Sequence, residues 1–79
     1  MISEKLKNTI ISSLDIDDFD LKDDTTADEV PGWDSLSHVN VILDIEKEFK
    51  IRFKSIEVLK LKNIGDLQKL VDSKLNSTN

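Results

Sequence analysis

The sequence predicts an all-α fold: three principal helices and one short one around a small apolar core. Three observations predict it. Apolar residues recur at helical spacing in three separate segments. Each segment is preceded by a residue able to cap a helix, Ser3, Asp34 or Asn63. The one stretch that alternates like a strand, Ile51-Arg52-Phe53-Lys54, has no second strand to satisfy its amides, so it reads as an extended connector.

The first helix runs from about Glu4 to Leu14. Ile2, Leu6, Ile10, Ile11 and Leu14 form its apolar stripe, Ser3 caps its first turn, and Glu4 sits at the favourable end of the dipole. From Asp15 to Asp34 the helical pattern gives out. This stretch holds nine acids, one lysine, and the only proline beside one of two glycines. Loops of that length inside a compact domain are functional or disordered, but Ile16, Phe19, Leu21, Ala27 and Val30 can pin this one over a core. The second helix spans about Ser35 to Phe49. Leu36, Val39, Ile42, Leu43, Ile45 or Glu46, and Phe49 are spaced to bury one broad face, and Leu36 is expected to anchor the first turn while holding Ser35 outward. Lys47 and Lys50 suit its negative end. Ser55 to Leu61 can form a turn or two of helix. Asn63 and Asp66 make a variant capping box for a final helix with Ile64, Leu67, Leu70, Val71 and Leu75 inside, and the polar tail 76–79 is expected to fray.

Composition narrows the function. At 79 residues the chain fills one core and reads as a single domain over 1–79. It has no cysteine and one histidine, His38, which removes thiolate chemistry and multi-histidine metal sites; no catalytic residue and no metal site is expected. No run approaches the roughly 20 apolar residues of a membrane helix. The N-terminus lacks the basic flank and apolar stretch of a secretory signal, which points to the cytoplasm. The net charge of −5 is unevenly placed: residues 1–35 hold ten acids against three lysines, and residues 36–79 hold eight bases against six acids. The acidic half repels nucleic acid and anionic lipid and favours basic partners, or simply solvates its loop. The aspartates of that loop do not form a calcium loop, because counting from Asp15 the required glycine and glutamate are Asp20 and Thr26.

The informative stretch is Gly32-Trp33-Asp34-Ser35-Leu36, where the acidic loop meets the second helix. A helix N-terminus offers free amides and positive dipole to an anion, so a phosphodiester built on the Ser35 hydroxyl would be stabilised where it forms. Asp34 can bind a metal ion or orient that hydroxyl during such a reaction. On Asp-Ser-Leu alone, an ordinary N-cap is the plainer reading. Trp33 is either packed against the last helix or an exposed partner contact. His38, one turn beyond Ser35, reads as a lone surface histidine that could touch a group attached there.

Residues Gly32 to Val39, continuing through Ile42-Leu43-Asp44-Ile45-Glu46-Lys47-Glu48-Phe49, resemble the phosphopantetheine attachment region of acyl carrier proteins, and the likeness extends over nearly the whole chain. The resemblance implies a four-helix bundle of acyl-carrier type, with 4'-phosphopantetheine joined to Ser35 by a phosphopantetheinyl transferase using coenzyme A and magnesium. The arm supplies the thiol that the chain lacks and holds cargo as a thioester. It further implies a monomer that is not an enzyme and that serves an acyl- or aminoacyl-loading ligase, synthase or transferase. Trp33, Leu36, Asn40, Asp44 and Glu46 would be read by partners. Val39, Ile42, Leu43, Ile45, Phe49, Leu61, Ile64 and Leu67 would form core or line an acyl cavity.

Two departures point to a specialised carrier. Asn40 stands where fatty-acid-synthesis members usually have an acid, and Lys47, Lys50, Arg52, Lys54, Lys60 and Lys62 intrude on helices that are acidic in those members. Trp33 before Asp-Ser-Leu looks more like discrete carriers of polyketide, aminoacyl or surface-glycan pathways. The cargo stays open among fatty, short or branched acyl groups, polyketide intermediates and amino acids such as D-alanine. An unmodified helical interaction module is the alternative of a different class; a hydrolase has only the acid count behind it.

Overall fold

In a computed structural model, which describes residues 2–76, four α-helices enclose the core: α1 (Glu4–Leu14), α2 (Ser35–Phe49), α3 (Ser55–Leu59) and α4 (Ile64–Asn76). No strand occurs among the described residues, and Ile51 to Lys54 is a connector. The helix starts follow their capping residues. Leu6 donates its amide to Ser3 Oγ at 3.2 Å, and Asp66 donates its amide to Asn63 Oδ1 at 2.8 Å. The return half of the α4 box differs from expectation, since Asp66 Oδ2 accepts from the amide of Lys62. α3 stops at Leu59, two residues short of the expected end, while α4 extends through Asn76; residues 77–79 of the expected frayed tail lie outside the described residues. α1 and α2 each end on a residue in the left-handed region, Asp15 and Lys50.

The long loop is tied down at both levels. Leu21 and Val30 are buried, and Ile16, Phe19 and Ala27 pack against the same core. A 3-10 turn at Ala27–Glu29, which periodicity missed, is closed by Glu29 accepting the Thr26 amide. The loop's carbonyls cap α4 from outside its own sequence: Ile64 donates to Thr25 O and Gly65 to Asp23 O, both at 2.8 Å. Position 65 must be glycine for that approach, because a Cβ there would lie 2.6 Å from the Asp23 carbonyl oxygen. Ser3 donates its amide to Gln68 Oε1 at 2.8 Å and joins the start of the chain to α4.

The core is Leu6 and Ile10 of α1, Val41 and Ile45 of α2, Ile64, Leu67 and Val71 of α4, with Leu21, Val30 and Trp33 from the loop. The buried face of α2 is rotated from the expected one. Val39 and Leu43, expected inside, are 57% and 47% exposed, Leu36 is 84% exposed and anchors nothing, and Val41 is fully buried. Apolar residues occupy both stripes of this helix, so spacing alone could not choose between them; packing against α1 selects the one through Val41 and Ile45. Leu75 of α4, expected inside, is also exposed, and Ile42 and Phe49 are half-buried.

Candidate functional site

Ser35 is the first residue of α2 and is exposed, so its hydroxyl is open to solvent. It lies in a shallow groove with Ala27, Asp28, Trp33, Asp34 and His38. The loop turns into the helix at Gly32, whose φ of +79° suits glycine.

Asp34 is the N-cap. One of its oxygens, Oδ1, accepts from the amides of Leu36 at 3.1 Å and Ser37 at 2.8 Å. The Ser37 amide, then the Ser37 hydroxyl and the Leu36 amide, hold its carboxyl below the usual carboxylate range, so it stays ionised. This alters the expected anion site. Two first-turn amides are already taken by Asp34, and a phosphate on Ser35 would find the Ser35 amide and the helix dipole only. Oδ2 accepts neither of those amides, and the carboxylate stands one residue from Ser35, where it can contact a metal ion beside the hydroxyl. The residues therefore suit a phosphodiester at Ser35: an exposed nucleophile, a groove beside it, and an adjacent carboxylate fixed by one oxygen.

Trp33 is the packed residue of the two placements left open, only 9% exposed and part of the core with Ile64 and Leu67. Its indole N–H donates to His38 Nδ1 at 3.0 Å, and the rings stack with centroids 6.1 Å apart. His38 is thus neither solitary nor wholly exposed. Nothing in the sequence signalled this pair beyond a tryptophan and a histidine five positions apart.

The other expected partner residues separate. Asn40 is exposed on the outer side of α2 with Leu36, Val39 and Leu43. Asp44 faces a groove shared with Lys5, Asn8 and Ser12 of α1. Glu46 is half-buried, and its Oε2 accepts from the Phe53 amide at 2.7 Å, so it holds the connector instead of presenting charge to a partner. Glu57 of α3 likewise accepts from the Lys54 amide and pairs with Lys74 at 2.8 Å. With those acids engaged, Lys47, Lys50, Arg52, Lys54, Lys60 and Lys62 stay exposed, and none forms an ion pair among the described residues. Exposed Ile56 and Leu59 of α3 extend the apolar surface.

A cavity of about 210 Å³ lies between α2, α3 and α4. Of the residues expected to form core or line a cavity, Ile42, Leu61, Ile64 and Leu67 line this one, Ile45 lies in the core and Phe49 packs against it, and Val39 and Leu43 do neither. The acidic loop brings no group of three carboxylates or histidines into metal-binding range among the described residues. No helix among them is long and apolar enough to cross a membrane.

The sequence profile of the family described as "Phosphopantetheine attachment site" matches residues 4–71. An acyl carrier protein of Clostridium acetobutylicum is 34% identical over 67 residues, covering 85% of this chain and 87% of the relative. That of Thermotoga maritima is 27% identical over 74 residues, covering 94% and 91%. Among solved structures, the solution structure of holo acyl carrier protein from Geobacter metallireducens superposes with a TM-score of 0.84 at 44% identity, covering 90% of this chain and 82% of that one.

Proposed function

The chain belongs to the acyl carrier protein family, non-catalytic carriers with a covalently attached phosphopantetheine, and from that premise we propose that Ser35 is the attachment residue. The observation that carries this reading is the exposed Ser35 hydroxyl at the start of α2, in a groove beside the ionised carboxylate of Asp34. A phosphopantetheinyl transferase with magnesium would direct the Ser35 oxygen onto the β-phosphorus of coenzyme A. A new P–O bond forms, the diphosphate P–O bond breaks, adenosine 3',5'-bisphosphate leaves, and the hydroxyl proton passes to base. The arm's thiol then takes up acyl cargo, which partner enzymes in the cytoplasm load and read.

Those partners meet the outer face of α2 and α3. The exposed side chains of Leu36, Val39, Leu43, Ile56 and Leu59 provide its apolar contacts. Lys47, Lys50, Arg52, Lys54 and Lys60 form its rim, so a fitting enzyme carries carboxylates around an apolar patch. That complement favours a specialised lipid, polyketide or glycan-modification pathway over ordinary fatty-acid synthesis. The half-enclosed cavity beside Ile42 and Leu67 offers a short acyl chain shelter from water.

Incubation with coenzyme A, magnesium and a broad-specificity transferase tests the attachment by intact-protein mass. The wild type is expected to gain one phosphopantetheine increment and Ser35→Ala none. An unchanged wild type, or a Ser35→Ala protein that still gains the arm, would overturn the reading.

A further inference from the structure

Two concave surfaces share one wall. The groove beside Ser35 and the cavity beneath α3 are both lined by Ala27, Trp33 and His38. Ser35 lines only the groove, and Ile42 only the cavity. Ser35, His38 and Ile42 are spaced three and then four residues apart along α2, so they form one helical stripe in that order. A chain that leaves Ser35 and follows this stripe inward reaches His38 before it reaches Ile42. There it meets the paired side chains that line both surfaces, Trp33 donating its indole N–H to His38 Nδ1 at 3.0 Å and stacking on the same ring. The indole nitrogen is a donor only, so Nδ1 of His38 is the acceptor in this bond. Trp33 is held on its other side by the core it shares with Ile64 and Leu67, which leaves His38 as the side that can yield.

We propose that the Trp33–His38 pair gates the cavity, with His38 the positioning residue that keeps Trp33 across the path, so that the length of the acyl chain decides whether it enters. This rests on the attachment of the arm at Ser35. One hydrogen bond and one ring stack favour the closed wall by roughly ten- to a hundredfold. Each methylene that leaves water favours entry by about fourfold. The wall therefore yields once about two to three methylenes can be buried beyond it. Shorter acyl groups stay in the outer groove with their thioester exposed, and longer ones open the pair and are sheltered. The rival path, over α3 past the exposed Leu59 and Lys62, would make entry indifferent to His38.

Wild type, His38→Phe and His38→Gln are each loaded in one step from butyryl-, hexanoyl- and octanoyl-coenzyme A by a broad-specificity phosphopantetheinyl transferase. Intact mass reports the arm, and a loaded mass separates a failed gate from a failed attachment; no increment in any protein overturns both. Trp33 is the only tryptophan, so emission and acrylamide quenching report this wall alone. Hydroxylamine release of the cargo reports shelter of the thioester. In wild type, butyryl is expected to leave Trp33 emission as in the unacylated arm, and octanoyl to shift it and slow release. His38→Phe keeps a ring and loses the acceptor, so entry begins about one methylene earlier and release at equal length slows roughly fivefold. His38→Gln supplies another acceptor but loses the ring stack, so its entry also begins about one methylene earlier than in wild type. Trp33 emission that ignores chain length in loaded wild type, or one length profile for wild type and His38→Phe, would overturn the gate.

Discussion

Gly65→Ala sets two physical effects against each other with opposite signs. Gly65 lies in the first turn of α4, and its backbone is not in the left-handed region, so alanine fits the local conformation. Helix propensity alone would make the variant more stable by about 1 kcal/mol. The loop packed over that turn says otherwise. A Cβ would stand 2.6 Å from the Asp23 carbonyl oxygen and 3.1 Å from its Cβ, where ordinary contact begins at 3.4 Å. Because the nearest atom is backbone, no rotamer change relieves the clash, and Asp23 must retreat by most of an ångström. Overpacking of this kind costs about 1–3 kcal/mol. The retreat also strains the Gly65 to Asp23 and Ile64 to Thr25 hydrogen bonds, a further loss of about 1 kcal/mol. Net of the propensity gain, the variant should lose about 2 kcal/mol, a fall of about 8–16 °C in Tm for a domain of this size. Urea and thermal unfolding followed by circular dichroism at 222 nm measure it. A Gly65→Ala protein as stable as wild type, or more stable, would refute the argument that loop-to-helix contact governs this position.

Other outcomes follow from the same geometry. Val41→Ala should cost roughly 2 kcal/mol by emptying a fully buried site, whereas Leu36→Ala should change stability by less than about 0.5 kcal/mol, and unfolding of the two variants checks which stripe of α2 is inside. Asp34→Asn keeps an oxygen for the Leu36 and Ser37 amides but loses the carboxylate charge; its melting temperature should stay near wild type while transfer of the arm to Ser35 slows, which mass-resolved kinetics would detect. The carboxyls of Asp34 and Glu57 are both held below their unfolded values, Asp34 by the Ser37 amide first and Glu57 by Lys74 first. Their stabilisation is complete above the unfolded values and lost as pH falls through the folded ones, so acid titration of stability should lose part of its slope in Asp34→Asn.

The helices were legible because their signals are local. Ser3, Asp34 and Asn63 cap the helices that follow them, and the apolar spacing of α1 and α4 located Leu6, Ile10, Leu67 and Val71 correctly. The position of Ser35 at the head of α2 was legible for a similar reason: a serine between an N-cap aspartate and a helical leucine occupies a defined place on a helix end. The inner face of α2 was not legible. Leu36, Val39 and Leu43 compete with Val41 and Ile45 along the chain, and only the presence of α1 distinguishes them. The role of Glu46 was hidden likewise, since its partner is a backbone amide seven residues away with no sequence signature.

By itself, then, the sequence determined the number and order of the helices, the position of Ser35 at the head of α2, and the absence of any thiol in the chain, because caps, periodicity and composition act within a turn or two of chain. Tertiary structure decided which stripe of α2 faces inward, that Glu46 and Glu57 are spent on backbone amides, and that Trp33 and His38 meet where they line both the groove at Ser35 and the cavity. Those outcomes depend on which surfaces are brought together in space, and burial and hydrogen bonding reward only the pairs that the finished fold places in contact.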